Sequence, residues 1–318
     1  MSALLKAENL SKAFGSIAAV KGISLSVVRG EILGFLGPNG AGKTTTMKML
    51  TGFLPPDAGR VEICGLDVAR ASLAARQKFG YLPEGGPLFS DMTALSFLRF
   101  AAAARGLSGS AREKAIASAV EAFHLKDILR QRIETLSKGF RRRLALAQAL
   151  LHDPEVLILD EPTDGLDPNQ KRETRSLLAA RAETTAIVVS THILEEVETL
   201  CTRCLIIHKG KVVADSAPDA LKARSRYFGA AVLRVPNALA GKVAKAVKGI
   251  SSVAAVETRP EKALTVITAL AVKGREPASA IAGLARAKGW ALDGPYTDPG
   301  RLDDVFAALT RETQEAAA

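Results

Sequence analysis

Eight residues near the N-terminus, GPNGAGKT at positions 37–44, match the pattern of a phosphate-binding loop. They follow an apolar run at 31–36 that predicts a strand, and they lead into a stretch at 43–51 that predicts a helix. Glycines in such a turn allow backbone N–H groups to point at phosphate oxygens, and the helix N-terminus adds positive charge. The residues predicted to bind nucleotide here are Gly37, Pro38, Asn39, Gly40, Ala41, Gly42, Lys43, Thr44 and Thr45.

Two side chains of this loop carry its chemistry. Lys43 is predicted to bring a mobile cation to the β- and γ-phosphates of a nucleoside triphosphate, and Thr44 to offer its hydroxyl to Mg²⁺. Magnesium that is bound mostly by phosphate oxygens and water needs few protein ligands. A glycine-rich turn with a chance lysine is the alternative interpretation of this motif taken alone.

A second apolar run, at 156–159, ends in two carboxylates. Four consecutive apolar residues predict a buried parallel strand, which exposes its acids only at its tip. We predict that Asp160 holds magnesium through water and that Glu161 is the general base that polarises the attacking water. The alternative, a solvated loop start before Pro162, is hard to reconcile with the phosphate loop upstream.

Three further segments surround this acidic strand end: LSKGFRRR at 136–143, TDGLD at 163–167 and STH at 190–192. With these motifs the chain resembles an ABC-type ATPase. The resemblance implies an α/β P-loop cassette, with a mostly parallel sheet, an antiparallel β part and a helical subdomain, which binds ATP and Mg²⁺. It also implies that Ser137 and Gly139 clasp the γ-phosphate bound by an opposing subunit. Ser137 is in addition a good N-cap for the helix that follows, and a plain N-cap is the alternative interpretation.

Histidine is more often structural than catalytic, but His192 follows an apolar run at 187–191 and should emerge at the same sheet edge as Glu161. The resemblance implies that His192 is the switch histidine, which contacts the γ-phosphate and orients Glu161, and that Asp164 helps to sense that phosphate. The catalytic residues are thus predicted to be Glu161, His192 and Lys43. The resemblance further places Phe14 against adenine, where stacking is worth ~1–3 kcal/mol. A core phenylalanine at a strand end is the alternative for Phe14.

The sequence departs from the family in the segment GYLPEGG at 80–86. Gly85 is interpreted as standing where most members have a glutamine that links magnesium and the γ-phosphate to the membrane subunit. Glycine has no side chain, so either Glu84 or water is expected to take over that contact, or sensing rests on His192 and Asp164. A Gly85→Gln change is expected to be tolerated unless the backbone needs a positive φ there.

The order of predicted elements divides the chain into an ATPase domain at 1–222, a basic linker at 223–229, an accessory domain at 230–310 and a tail at 311–318. The accessory domain has the β-α-β-β-α-β order of a small α+β ferredoxin-like domain. It carries no evident catalytic cluster, so dimer contact or regulation is its expected role. The tail is expected to fray.

The composition is that of a globular protein, with 318 residues, 47% of them hydrophobic and 24% charged, and a net charge of +10. Apolar runs fall short of the ~18 residues that cross a bilayer, and the N-terminus lacks the layout of a signal peptide. We therefore expect a peripheral protein on the cytoplasmic face of the inner membrane. The three cysteines, Cys64, Cys201 and Cys204, cannot form a disulfide framework, and the pair Cys201 and Cys204 is expected to consist of buried thiols rather than zinc ligands.

The segments YLPE and LSKGFR are similar to those of the exporter branch that serves gliding motility, sodium efflux and drug or polysaccharide export. This resemblance implies an ATP-hydrolysing subunit that dimerises, with itself or a related chain, around two ATP molecules. It would drive separate transmembrane permease subunits through the surface around Tyr81 to Phe97, without a nucleic-acid partner. The alternative is a soluble ABC ATPase that acts on ribosomes or nucleic acid. Such relatives carry two cassettes or a long coiled coil, and this chain has one cassette without heptads.

Overall fold

The computed structural model describes residues 2–86, 88–290 and 292–315, with side chains as far as residue 311. The chain divides into two compact units, Met1–Ser216 and Ala217–Ala318. In the described residues no helix combines the length and the apolar character that a bilayer span requires.

The strands of the first unit are β1 (Ala3–Phe14), β2 (Ile17–Val28), β3 (Ile32–Leu36), β4 (Ala58–Ile63), β5 (Leu66–Asp67), β6 (Phe79–Leu82), β7 (Val156–Asp160), β8 (Ala186–Thr191), β9 (Arg203–His208) and β10 (Lys211–Ser216). Its helices are α1 (Lys43–Leu50), α2 (Ser72–Lys78), α3 (Ala94–Ala104), α4 (Gly109–Ala122), α5 (Lys138–Leu150), α6 (Pro168–Ala182) and α7 (Leu194–Leu200).

Two sheets form the first unit. A six-stranded sheet has the order β10-β9-β3-β8-β7-β6 and is parallel except for the pairing of β10 with β9. Every residue of β3, β7 and β8 is buried, as expected for parallel strands covered on both faces. The second sheet is antiparallel, in the order β2-β1-β4-β5. Together they confirm the predicted cassette with its parallel and antiparallel parts.

The register of the parallel sheet determines where its loops emerge. Leu36 at the end of β3 pairs with Thr191 at the end of β8, and Asp160 at the end of β7 pairs with Ser190. The loops that follow these three strands therefore leave the sheet at one edge and at the same height.

A group of three mutually packed helices, α3, α4 and α5, forms the predicted helical subdomain. Helix α3 is capped by Thr93, whose hydroxyl accepts a hydrogen bond from Ser96 N. Helix α5 is capped in the same way by Ser137, whose Oγ accepts from Phe140 N at 3.3 Å. Such caps satisfy backbone donors that a helix end would otherwise leave unpaired.

The second unit contains α8 (Pro218–Lys222), β11 (Ala231–Pro236), α9 (Asn237–Lys248), β12 (Val253–Glu261), β13 (Leu264–Ala271), α10 (Ala278–Lys288), β14 (Asp293–Thr297) and α11 (Leu302–Glu315). Its antiparallel sheet has the order β12-β13-β11-β14. A buried core joins the sheet to α9 and α10 through residues such as Leu233, Val247 and Ile281.

The β-α-β-β-α-β order of this unit is the one that the sequence predicts, and its ferredoxin-like class stays a prediction. The sequence ends the first domain at residue 222, whereas the structure places α8 in the second unit, where it packs with α11. Helix α11 also continues through Glu315, into the predicted tail. Residues 316–318 lie outside the described residues.

Candidate functional site

The loop between β3 and α1 is built on glycines that no other residue could replace without strain. Gly42 has a φ of +105°, and a Cβ there would lie 2.5 Å from the carbonyl oxygen of Ala19. A Cβ at Gly37 would lie 2.5 Å from the carbonyl oxygen of Ile207. Gly40 also has a positive φ, +77°, but a Cβ there would meet no atom within 4 Å. The loop is thus packed tightly against its neighbours at both ends and open in its middle.

Lys43 lies in the centre of this loop and is only 8% exposed. Its Nζ donates hydrogen bonds to the carbonyl oxygens of Gly37 at 2.6 Å and Pro38 at 3.2 Å. Burial lowers the pKa of Lys43, and the nearby Glu161 and Asp160 oppose that effect. The loop therefore holds a partly desolvated cation that an anionic phosphate would stabilise.

Oxygen atoms suited to magnesium lie next to this lysine. Asp160 is 1% exposed, its Oδ2 has no hydrogen-bond partner, and burial raises its pKa. The Thr44 hydroxyl donates to Oε2 of Glu84 at 3.3 Å. No cluster of three or more His, Cys, Asp or Glu side chains within the described ranges could hold a metal alone. This donor set fits a hard cation that completes its shell with phosphate and water.

Glu161 and His192 form a contact pair at the same sheet edge. His192 Nδ1 lies 2.8 Å from Glu161 Oε1, and the histidine side chain is 61% exposed. Burial raises the pKa of Glu161, while the contact with His192 lowers it. Glu161 has a φ of +51°, a left-handed backbone that is uncommon for a residue with a side chain.

The structure shows which side chain of the segment at 80–86 faces the phosphate loop. That side chain belongs to Glu84, as in the alternative in which Glu84 takes over the contact of the missing glutamine. Gly85 has a φ of +76° and no atom within 4 Å of a Cβ. The condition set for Gly85→Gln is therefore not met, because a glutamine at this positive φ would be strained.

The remaining predicted residues form a separate group. Ser137 caps α5, and a Cβ on Gly139 would lie 2.8 Å from Oε1 of Gln170. Lys138 forms a 2.9 Å ion pair with Asp164 and lowers its pKa. Across the residues that the structure describes, no hydrogen bond or ion pair joins Ser137 or Gly139 to the phosphate loop. Phe14 is 50% exposed, which contradicts the alternative that it is a core residue.

Comparison with known proteins identifies the family. A family model described as ABC transporter matches residues 20–164. The Nod factor export ATP-binding protein I of Burkholderia orbicola (strain AU 1054) is 43% identical over 217 residues, which cover 67% of this chain and 70% of that protein. The chain belongs to the ABC transporter ATP-binding proteins.

Two further matches agree with this family. The probable multidrug ABC transporter ATP-binding protein YbhF of Escherichia coli (strain K12) is 41% identical over 223 residues, which cover 70% of this chain but 38% of that relative. A solved structure of the ATP-binding subunit of an ABC transporter matches with a TM-score of 0.66 and 32% identity, over 70% of this chain and 92% of that one. This ABC protein thus spans well under half of the YbhF sequence that it matches.

Sequence reasoning missed two buried charged residues of the ABC cassette that bond to the loops of the site. Glu196 on α7 is 2% exposed and accepts hydrogen bonds from the hydroxyls of Thr163 and Thr191. Arg142 on α5 is 6% exposed and lies against the end of β7. Glu195 and Arg141, which precede them, carry the same charges and are exposed, while Arg143 is buried like Arg142, so charge alone does not show which residues of these runs are buried.

The expectation that Cys201 and Cys204 are buried is confirmed. Cys201 and Cys204 are buried, and burial raises the pKa of Cys204 to about 12. Cys64 is only partly buried. Cys201 packs closely against β3 of this ABC protein, since a Cβ on Gly34 would lie 2.7 Å from its Sγ.

The contrast between Gly40 and Gly42 can be tested in the ABC protein without nucleotide. Gly42→Ala should lower the free energy of unfolding by several kcal/mol, because the added methyl group clashes with the backbone as well as requiring a strained φ. Gly40→Ala should cost only ~1 kcal/mol, since it has the strain without the clash. Urea denaturation of both variants measures the difference. Equal losses would contradict the packing described for Gly42.

Proposed function

We propose that this chain binds and hydrolyses ATP as the energising subunit of an ABC exporter. The observation that carries the proposal is the Glu161–His192 contact of 2.8 Å, at the same sheet edge as a glycine loop with a buried lysine. A general base must be oriented toward the proton that it accepts, and a histidine in contact with its carboxylate provides that orientation.

In this proposal the phosphates lie in the loop at 37–45, with Lys43 moving from the carbonyls of Gly37 and Pro38 to the phosphate oxygens. Glu161 accepts a proton from the water that attacks the γ-phosphorus, and the bond to the leaving ADP breaks. His192 holds the Glu161 carboxylate in place. The exposed ring of Phe14 stacks on adenine.

Magnesium would be held by the Thr44 hydroxyl and, through water, by Asp160, with Glu84 beside Thr44. When bound, it neutralises charge on the phosphate oxygens. Oδ2 of Asp160 has no hydrogen-bond donor, which supports this assignment. A buried oxygen of this kind is well placed to accept a hydrogen bond from a metal-bound water.

We further propose that two chains enclose the nucleotides. Ser137 and Gly139 lie at the N-terminus of α5, where backbone N–H groups and the helix dipole favour an anion. Since no hydrogen bond or ion pair among the described residues joins them to their own phosphate loop, a second chain is the proposed source of the phosphate. Asp164, beside Lys138, would lie at the same interface.

The proposed partner is a permease subunit in the membrane, which places the chain on the cytoplasmic face of the inner membrane. Phe53 and Leu73 are 75% and 77% exposed and line a cavity of about 490 Å³ together with Tyr81. Exposed apolar side chains around a groove are typical of a docking site for an apolar segment. The names of the relatives, which mention Nod factor export and multidrug transport, favour an exporter over the ribosome-associated alternative.

Replacing the base should separate binding from hydrolysis. Glu161→Gln should bind MgATP with unchanged affinity and hydrolyse it ~10²–10⁴-fold more slowly, because the amide cannot accept the proton. Calorimetric titration and phosphate release measure the two effects. Light scattering should also show that this variant dimerises with ATP.

Lys43→Ala is the matched control for that experiment, because it removes the phosphate contact and leaves Glu161 intact. It should lose both ATP binding and dimerisation. Near-wild-type turnover in Glu161→Gln would remove Glu161 from its proposed role.

Glu84 can be tested through the magnesium requirement. Glu84→Ala should raise the Mg²⁺ concentration for half-maximal hydrolysis by ~10-fold, the usual effect of losing a residue that orients a metal ligand. Glu121→Ala, an exposed carboxylate on α4, is the control. An unchanged magnesium requirement in Glu84→Ala would show that Glu84 does not serve the metal.

The docking groove can be tested by a paired substitution. Phe53→Ser combined with Leu73→Ser should reduce co-purification with a polytopic membrane protein by ~10-fold or more, because buried apolar anchors dominate such interfaces. The basal ATPase rate should not change. Leu264→Ser, which replaces a partly exposed leucine of the second unit, should leave co-purification intact. Undiminished binding by the paired variant would place the permease elsewhere.

A further inference from the structure

Arg142 on α5 is a buried cation whose hydrogen bonds, among the residues that the structure describes, all go to backbone carbonyls. Its Nη2 donates to the carbonyl oxygen of Asp160 at 2.5 Å and to that of Glu161, and its Nε donates to Pro162 O at 3.2 Å. Its Nη1 reaches Pro83 O at 3.4 Å. It forms no ion pair within the described residues. A guanidinium with 6% exposure is costly to bury, so its four backbone contacts must offset that cost.

The carbonyls that Arg142 binds belong to the strained part of the site. Glu161 adopts a φ of +51°, a left-handed conformation that is strained for a residue with a side chain. Such strain persists only where neighbouring contacts fix the backbone. Glu161 N donates to Ser190 O at 2.9 Å, and Asp164 N donates to Glu161 O at 3.1 Å. The guanidinium adds a further contact, because it holds three successive carbonyls on one side.

We propose that Arg142 is a positioning residue for the general base: it holds the left-handed backbone at Glu161 and thereby directs the carboxylate toward His192 and the attacking water. This inference rests on the proposed ATP hydrolysis. The Pro83 contact extends the same role to the segment that carries Glu84, so one side chain of α5 fixes the backbone next to both carboxylates.

The planar shape of the guanidinium matters for this role. Its donors diverge in a rigid fork that can reach carbonyls of three adjacent residues at once, whereas the lysine ammonium is a compact charge on a flexible stem. If Arg142 acted only through its positive charge, Arg142→Lys would preserve its function. If it acts by holding several carbonyls in a fixed geometry, Arg142→Lys would not.

The first test compares Arg142→Lys and Arg142→Gln with the wild type. Both variants should bind MgATP with unchanged affinity, and both should lower kcat by ~10–100-fold, because small misplacements of a reacting group cost rates of that size. Arg105→Lys is the matched control, since Arg105 also donates to backbone carbonyls, those of Arg76 and Phe79, and makes no contact with Glu161. It should keep the wild-type kcat.

The second test asks whether Arg142 acts through Glu161. In a Glu161→Gln background, adding Arg142→Gln should cause no further loss of the residual single-turnover rate, because there is no base left to position. Independent losses that multiply would overturn the proposal, as would a wild-type kcat in Arg142→Lys or a loss confined to ATP affinity.

Thermal unfolding of each variant separates positioning from folding. Variants that retain a cooperative transition and lose kcat support the proposal. If neither variant folds, Arg142 is a folding residue and the proposal is wrong. Absence of ATP turnover in the wild-type chain with Mg²⁺ would instead contradict the proposed function itself.

Discussion

The parallel register of β3, β8 and β7 is the constraint on which the site depends. Because Leu36 pairs with Thr191 and Asp160 with Ser190, three loops that are distant in sequence begin at one height on one sheet edge. Each loop then supplies a different chemical group: a glycine turn with a cation, a pair of carboxylates, and a histidine. A shift of one strand by a single residue would turn its side chains to the opposite face and separate these groups.

The site concentrates charges that are costly to desolvate. Burial disfavours the ionised forms of Lys43, Asp160 and Glu161, as the directions of their pKa shifts indicate. Their proximity offsets part of this cost, since the lysine lies near both carboxylates. A magnesium–phosphate group would offset more, because it brings negative charge to the lysine and positive charge to the acids. The arrangement therefore favours binding of a charged ligand and lowers the stability of the ligand-free protein.

Much of this site follows from sequence because the motifs sit at strand ends, where buried apolar runs show which residues emerge. The sequence could not decide whether Glu84 or water replaces the missing glutamine, and the reason lies in the local structure. That segment is a turn with two positive-φ glycines, and no periodicity fixes which side chain faces inward. The burial of Arg142 and Glu196 was not predicted, for a third reason. A charged residue next to others of the same charge indicates a solvated face, and only the packing shows that it is buried. The boundary between the two units could not be predicted either, because α8 is short and packs with α11, which lies far along the chain.

Two buried side chains tie the loops of the sheet edge to each other and to helix α5. Glu196 joins Thr163, which follows Asp160 and Glu161, to Thr191, which precedes His192, so the loops after β7 and β8 share one anchor. Arg142 joins the carbonyls at Glu161 to helix α5, which begins at Ser137. Any displacement of α5 must therefore either carry the backbone of Glu161 with it or break buried hydrogen bonds. The backbone conformation of Glu161 therefore depends on the position of helix α5.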